Sequence, residues 1–388
     1  MLILRGARVA ISATEAVRLD LALCSGRIHY CSAHEKSNDA LNLDGFLILP
    51  GLINAHDHLD LNLFPRLGRR TYPNARAWAE DIYRPNEPPI NRHVSLPKPV
   101  RLLWGCIKNL LSGVTSVAHH NPRHPITQRS PVRVLTEFGW AHSLTFCRRW
   151  RQRYQKTPAG VPFIIHAAEG TDQESRREIA ILDAAGALGP CTVLVHGVAI
   201  DLATLAVLLE RGSSLIWCPS SNLFTLGQTL SSQILQSCLP IALGSDSAIT
   251  AEGDLLDEVR VASAFMDPAR LYDMVTTEPA RILKLPFGTG QIVENGPADL
   301  LVVKDHGGSP ASALLRCRPE LVFIDGGLRL ASVDCAEQLP LQSLAPKHGI
   351  EVAERGRYLI DFDAKSLVRQ TAAILGPDIR LAGKAVAA

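Results

Sequence analysis

Between residues 51 and 289, short apolar runs alternate with amphipathic helical patterns. The runs are "GLINAH", "GVTSVAHH", "FGWAHSLTF", "VPFIIHAAE", "TVLVHGV", "SLIWCPSS" and "PIALGSDS". Near-continuous apolar strands fit a parallel sheet covered on both faces, and their regular alternation with helices argues for repeated βα units. The helical segments carry their own punctuation. Pro99 to Leu111 places apolar residues at 102, 103, 106, 107, 110 and 111 and stops at Gly113. Asp201 to Arg211 opens on an N-cap aspartate and stops at Gly212.

The flanks have a different texture. "LILRGARVAI", "VRLDLALCSGRIHYCS" and "LNLDGFLILP" read as short strands, with a hairpin turn at Ser25-Gly26 and a strand pair around Asp44-Gly45. After residue 290 strands return: "ADLLVVKD", then a hairpin in "ELVFIDGGLRLAS" across Gly326-Gly327. The two ends are expected to meet as one small β domain, 1–50 plus 290–340, with the α/β unit 51–289 inserted between them. Residues 341–388 form a C-terminal extension, with a linker over 340–346 and a short helix from Ser366 to Leu375.

Bulk properties narrow the function. In 388 residues, 46% hydrophobic content supports a sizeable core. A net charge of +2 and only 5% aromatics supply neither the field nor the stacking surface of a nucleic-acid binder. The basic run "RRWRQR", 148–153, is the sole feature favouring one. No CxxC occurs among the nine cysteines, which argues against a zinc ribbon or a dithiol redox motif. The apolar N-terminus is broken by Arg5 and Arg8, unlike a signal peptide, and the most apolar window, Thr192 to Leu209, contains His196 and Asp201, unlike a membrane span. The expectation is a cytoplasmic protein with free thiols and no membrane partner.

The strand ends carry the chemistry. His56 and His58 end the first run, His119 and His120 the second, His166 a later one with Glu169 close behind, then His196 and Asp246. In a (β/α)8 barrel the active site forms at the C-terminal ends of the strands. Side chains two apart on a strand face the same way, so His56 and His58 can converge while Asp57 points elsewhere. Two histidines, a third and an aspartate make an N3O set suited to a divalent metal.

These residues carry a resemblance. "LNLDGFLILPGLINAHDHLD", "HAAEG", "VLVHGV", "CPSSNLFTLG", "GSDS", "TTEPARILKL" and "GQIVENGPADLLVV" are similar to the amidohydrolase superfamily, in its cytosine deaminase and chlorohydrolase-like branch, over roughly residues 1–72 and 160–305. The resemblance implies a distorted (β/α)8 TIM-like barrel with a small β-sandwich built from both termini. It implies that His56, His58, His166 and Asp246 hold one divalent ion, Zn²⁺ first and Fe²⁺ second, and that Glu169, His196 and Asp246 are catalytic. Binuclear relatives bridge two metals with a strand-four lysine; 132–147 contains none, so one metal is expected. Such barrels often form homo-oligomers. The pattern fails before His166, where the spacing from Thr115 is tight and the fourth strand is expected to be very short or lost.

The chemistry that follows is hydrolysis of a non-peptide C–N bond by metal-bound hydroxide on a small-molecule substrate. Glu169 would move the proton from water to the leaving nitrogen, His196 would stabilise developing charge, and Asp246 would hold the metal and orient the water. Deamination of an amino-heterocycle leads; opening of a cyclic amide or amidine follows; a non-catalytic metal-binding scaffold is the third reading. His119, His120, Arg148, Trp150 and Asn222 are the candidate substrate contacts.

Overall fold

The computed structural model describes residues 1–31, 39–68, 71–339 and 344–388. The expected α/β unit supplies eight short parallel strands: β1 (Leu52–Asp57), β2 (Val114–His119), β3 (Arg133–Leu135), β4 (Gly139–Ser143), β5 (Phe163–Ala167), β6 (Thr192–His196), β7 (Ser214–Trp217) and β8 (Ile241–Leu243). They form a three-stranded sheet, β3-β2-β1, and a five-stranded sheet, β4-β5-β6-β7-β8. Ile53, Ala55, Ala118, Ile164, Val193 and Ala242 belong to a single buried cluster, so the two sheets share a core. Just beyond β8, Asp246 makes one isolated parallel bridge with Asp57 of β1, its N–H donating to the His56 carbonyl at 3.1 Å. The fold is mixed α/β and TIM-barrel-like; among the described residues no ladder joins β3 to β4.

Close approach at β1 depends on glycine in two places. A Cβ at Gly244 would stand 2.6 Å from the His56 Cβ, and one at Gly105 would stand 2.3 Å from the Leu59 carbonyl oxygen. The first lets the end of β8 press on β1. The second seats helix α1 (Lys98–Leu111) against the turn after "AHDH". α1 starts with Pro99 in its first turn and ends before Gly113, whose φ is +77°. Helix α2 (Leu202–Arg211) has the expected Asp201 cap, here a full capping box with Thr204, and stops at Gly212 with φ +69°.

The fourth strand is neither lost nor unusually short. Five residues form β4, while β3 has three, and only residues 136–138 connect them. The missing piece is therefore the helix between these strands. That accounts for the tight spacing before His166.

The flanking strands do meet. Phe46–Pro50 pairs antiparallel with Leu300–Lys304, inside a ten-stranded sheet drawn from both ends of the chain. The strand pair expected around Asp44-Gly45 does not form. Ala40–Asn42 instead joins Leu2–Arg5 in a separate four-stranded sheet. Leu4, Leu21, Ile28, Leu300 and Phe323 share one apolar cluster between the two sheets. Beyond residue 344 the chain continues the large sheet through His348–Val352, Gly356–Ile360 and Lys384–Ala387, with a helix at Ala364–Leu375. Residues 340–343 of the expected linker lie outside the described residues. No described helix is long and apolar enough to cross a membrane.

Candidate functional site

The alternation of β1 separates its polar residues into two groups. His56, together with His58 just beyond the strand, turns one way, and Asp57 turns the other. His56 Nε2 lies 3.1 Å from His166 Nε2, across 110 residues of sequence. Asp246 Oδ1 stands 3.8 Å from His56 Nε2 and 3.7 Å from His58 Nε2. Two overlapping ligand groups result: His56 with His58 and Asp246, and His56 with His120 and His166, all buried.

The donor chemistry fits a metal cation. His166 Nδ1 bonds the His142 carbonyl, which can only accept, so this nitrogen carries the proton and Nε2 presents a lone pair toward His56. Nitrogens held about 2.0–2.1 Å from a tetrahedral zinc would stand roughly 3.3 Å apart, close to the spacing here. The buried His58 Nδ1 has no hydrogen-bond partner among the described residues. Burial, reinforced by neighbouring imidazoles, drives His56, His120 and His166 well below the usual histidine value, which keeps them neutral. Neutral nitrogens are the form that binds a metal.

Asp246 is tied down on its other oxygen. Oδ2 accepts from the Ser221 hydroxyl at 2.7 Å and the Thr250 hydroxyl at 3.0 Å, leaving Oδ1 toward the histidines. Burial works to raise its carboxyl, but His196, His58 and the two hydroxyls outweigh that and hold it below the usual carboxylate value. Glu169 Oε1 lies 3.6 Å from His196 Nε2. Burial pushes the Glu169 carboxyl up to about 7, with His196 opposing and Asp246 adding. A carboxyl poised there can both take and return a proton near neutral pH. His196 Nδ1 contacts Asn222 Oδ1 at 2.8 Å, an acceptor, which leaves His196 Nε2 facing Glu169 and Asp246. His196 and Asp246 have φ of +75° and +52°. Holding non-glycine residues there costs on the order of 1 kcal/mol or more each, and such strain concentrates at functional sites.

On the opposite side of β1 a second polar cluster is buried. Asp57 Oδ2 receives Lys108 Nζ at 2.9 Å, Asn109 Nδ2 at 2.8 Å and the Ser245 hydroxyl at 3.1 Å; Asp57 Oδ1 receives Asn62 Nδ2 at 2.8 Å. Asn54 joins through Asn109 and Ser245. This hub ties α1, β1 and the end of β8 together on the side of β1 away from His56.

A cleft open to solvent leads to His166 and Glu169, bordered by Asn74, Arg76, Ser143, Thr145, Phe146 and Glu178 among others. The candidate substrate contacts are distributed differently from the expectation. His119 accepts from the Leu59 N–H and borders a separate cavity with Asn121, Phe138 and Trp140. His120 has both ring nitrogens engaged by protein groups. Arg148 is exposed just before the helix Trp150–Lys156, whereas Trp150 is 5% exposed and packs in the main core. Trp150 is therefore a core residue: an aromatic at the first position of a helix turns inward where the sheet offers an apolar surface. Asn222 is buried against His196. One residue was passed over. His142, on β4, lies 4.7 Å from His166 between ring centroids, and its buried Nδ1 has no partner among the described residues. Burial lowers it to about 4. Its signal was the same one that marked the others, a histidine late in an apolar run, hidden by the expectation that this strand was missing.

Residues 156–332 match the model of the amidohydrolase family. A 5-methylthioadenosine/S-adenosylhomocysteine deaminase of Archaeoglobus fulgidus is 24% identical over 355 residues, covering 74% of this chain and 82% of that protein. An 8-oxoguanine deaminase of Pseudomonas aeruginosa is 28% identical over 210 residues, 47% of this chain and 46% of that protein. Among solved structures, a zinc-bound adenosine deaminase from Xanthomonas campestris superposes with TM-score 0.69 at 17% identity, covering 96% of this chain and 97% of that one. A zinc complex of atrazine chlorohydrolase from Arthrobacter aurescens gives TM-score 0.70 at 16% identity, covering 96% and 100%. Similar in sequence to deaminases along most of its length, matched by the amidohydrolase family model over 156–332 and carrying a buried nitrogen-and-carboxylate site suited to a metal, this chain resembles the metal-dependent amidohydrolases.

Proposed function

We propose that this protein is an aminohydrolase that releases ammonia from an amino-substituted heterocycle, a small molecule entering by the cleft at Glu169. The observation that carries the reading is the pairing of His56 and His166, nitrogen against nitrogen at 3.1 Å, with a carboxyl raised to about 7 a short distance away. The relatives named deaminases support it.

His56, His58, His166 and Asp246 are the residues that would hold one divalent ion. We assign zinc, on the nitrogen-rich donor set and the zinc in the structural neighbours. When bound, such an ion supplies Lewis acidity and lowers the pKa of adjacent water. Glu169 takes a proton on its carboxylate and delivers it to the departing nitrogen. His196, oriented by Asn222, faces the same space and polarises the substrate. Asp246 Oδ2 is immobilised by Ser221 and Thr250, so its other oxygen keeps a constant direction. His142 Nδ1 is a further polar group for the bound heterocycle. We read the two parallel sheets as one distorted eight-stranded barrel, supported by the contact of β8 with β1. The terminal strands, including those after residue 344, form the flanking β unit, in which the two facing sheets make a sandwich.

An ammonia-release screen tests the reading, using metal-loaded protein on amino-purines, amino-pyrimidines, amino-triazines and cyclic amides, with Glu169→Gln as the blank. Ammonia from an amino-heterocycle, absent in the blank, is expected. A ring-opened product without ammonia would replace deamination by cyclic-amide hydrolysis. No turnover on any class would overturn both.

A further inference from the structure

His120 lies neither in the lining of the cleft at Glu169 nor at the surface. It is 1% exposed, and its backbone N–H donates to the Asp57 carbonyl at 3.0 Å, fastening it to β1. Its ring stacks on His166 with centroids 4.6 Å apart. His120 Nε2 lies 2.9 Å from the Ala141 carbonyl oxygen, and His120 Nδ1 lies 3.2 Å from His56 Nδ1.

Those two contacts determine where the protons sit. A carbonyl oxygen only accepts, so His120 Nε2 carries the hydrogen. In a neutral imidazole the other nitrogen is then an acceptor, so His120 Nδ1 offers a lone pair. The hydrogen between the two rings must come from His56 Nδ1. His56 is thereby left with its lone pair on Nε2, the atom 3.1 Å from His166 Nε2 and 3.8 Å from Asp246 Oδ1.

We propose that His120 is a positioning residue: anchored on the β4 backbone at Ala141, it selects the His56 tautomer that presents Nε2 to the metal. The inference rests on the metal-site reading above. Metal-binding histidines usually donate their second N–H to a carboxylate or a carbonyl. Here the acceptor is another imidazole, and its own orientation depends on β4. The link makes the short β3–β4 connection part of the metal site, because displacement of Ala141 would free His120 to take the other tautomer.

The experiment compares full-length wild type, His120→Phe and His120→Gln. Zinc affinity is measured by competition with a chromophoric chelator, zinc content by elemental analysis and folding by circular dichroism. Glutamine retains both functions of the ring, an oxygen to accept from His56 Nδ1 and an N–H₂ to donate to Ala141; phenylalanine retains neither. We expect His120→Phe to weaken zinc binding by about 10–100-fold, the range for outer partners of metal ligands. We expect His120→Gln to recover most of that loss. Unchanged affinity in a folded His120→Phe would overturn the proposal. So would equal loss in both folded variants, or a wild type with two zinc ions of which His120→Phe loses one, since His120 would then be a ligand itself. Imidazole ¹⁵N spectra of the wild type, taken with chelator present, supply the second measurement should a variant fail to fold. They should show His120 protonated at Nε2 and His56 at Nδ1; the opposite assignment overturns the proposal. This readout needs neither zinc nor turnover, so failure of the metal or deaminase reading is distinguishable from failure of this one.

Discussion

The two sides of β1 hold polar clusters of similar burial and opposite character. On the Asp57 side the carboxylate is matched by Lys108, Asn109, Asn62 and Ser245 at ordinary hydrogen-bond distances. On the His56 side, lone pairs face one another, His58 Nδ1 has no described partner, and Glu169 is held near 7 by burial. Buried polar groups are ordinarily paired, so the first cluster reads as scaffold and the second as a place completed by something from outside. Residues adjacent in sequence belong to different functions because a strand sends alternate side chains to opposite sides.

This contrast can be broken experimentally. Removing a ligand should have the largest effect: His56→Ala loses the metal, read by elemental analysis, and activity falls to background while the protein remains folded. Retention of stoichiometric metal would remove His56 from the ligand set. Glu169→Gln should keep the metal and lower turnover by about 10²–10⁴-fold, the usual share of a general acid–base group. A variant that still turns over at the wild-type rate would move proton transfer elsewhere. On the scaffold side, Lys108→Met strands Asp57 in the interior, and breaking such a pair costs about 3–5 kcal/mol. Urea unfolding should register that loss. Unchanged stability with collapsed zinc affinity would mean that the hub serves the metal rather than the fold.

The smallest effect concerns a carboxyl belonging to neither cluster. Glu258 is 1% exposed and accepts from the Ser220 N–H at 3.0 Å. Burial pushes it up to about 8, from an ordinary value near 4.5. Between these values the folded state binds the extra proton, so stability is full below the lower value. It declines as pH rises toward 8 and levels off above. The slope is at most about 1.4 kcal/mol per pH unit. Glu258→Gln should flatten this part of the stability profile in metal-free protein, and an unaltered slope would assign it to another group.

Much of the site was legible because its residues contradict their surroundings. His56, His58, His166, His196 and Asp246 each interrupt or end an apolar run, and α1 and α2 announce their ends with proline, aspartate and glycine. Other parts left no such mark. A three-residue strand such as β3 is too short to show a period, and its invisibility led to the loss of the wrong element and concealed His142. Lys108 on an amphipathic helix looks like a solvated residue, yet it is 3% exposed. Trp150, among arginines, reads in sequence as a candidate substrate contact, yet it packs inside.

What the chain determined by itself is local: which residue types occupy the strand ends, and that His56 and His58 share a direction while Asp57 opposes them. Both follow from a repeat of two residues along an extended backbone. Which ends become neighbours was decided only by the tertiary structure. Bringing His166 and Asp246 to His56 depends on the order of strands in the sheets, and setting the proton on His56 depends on where β4 leaves the Ala141 carbonyl. Those are contacts between segments far apart in sequence, formed when the sheets pack on a common core, and no local pattern encodes them.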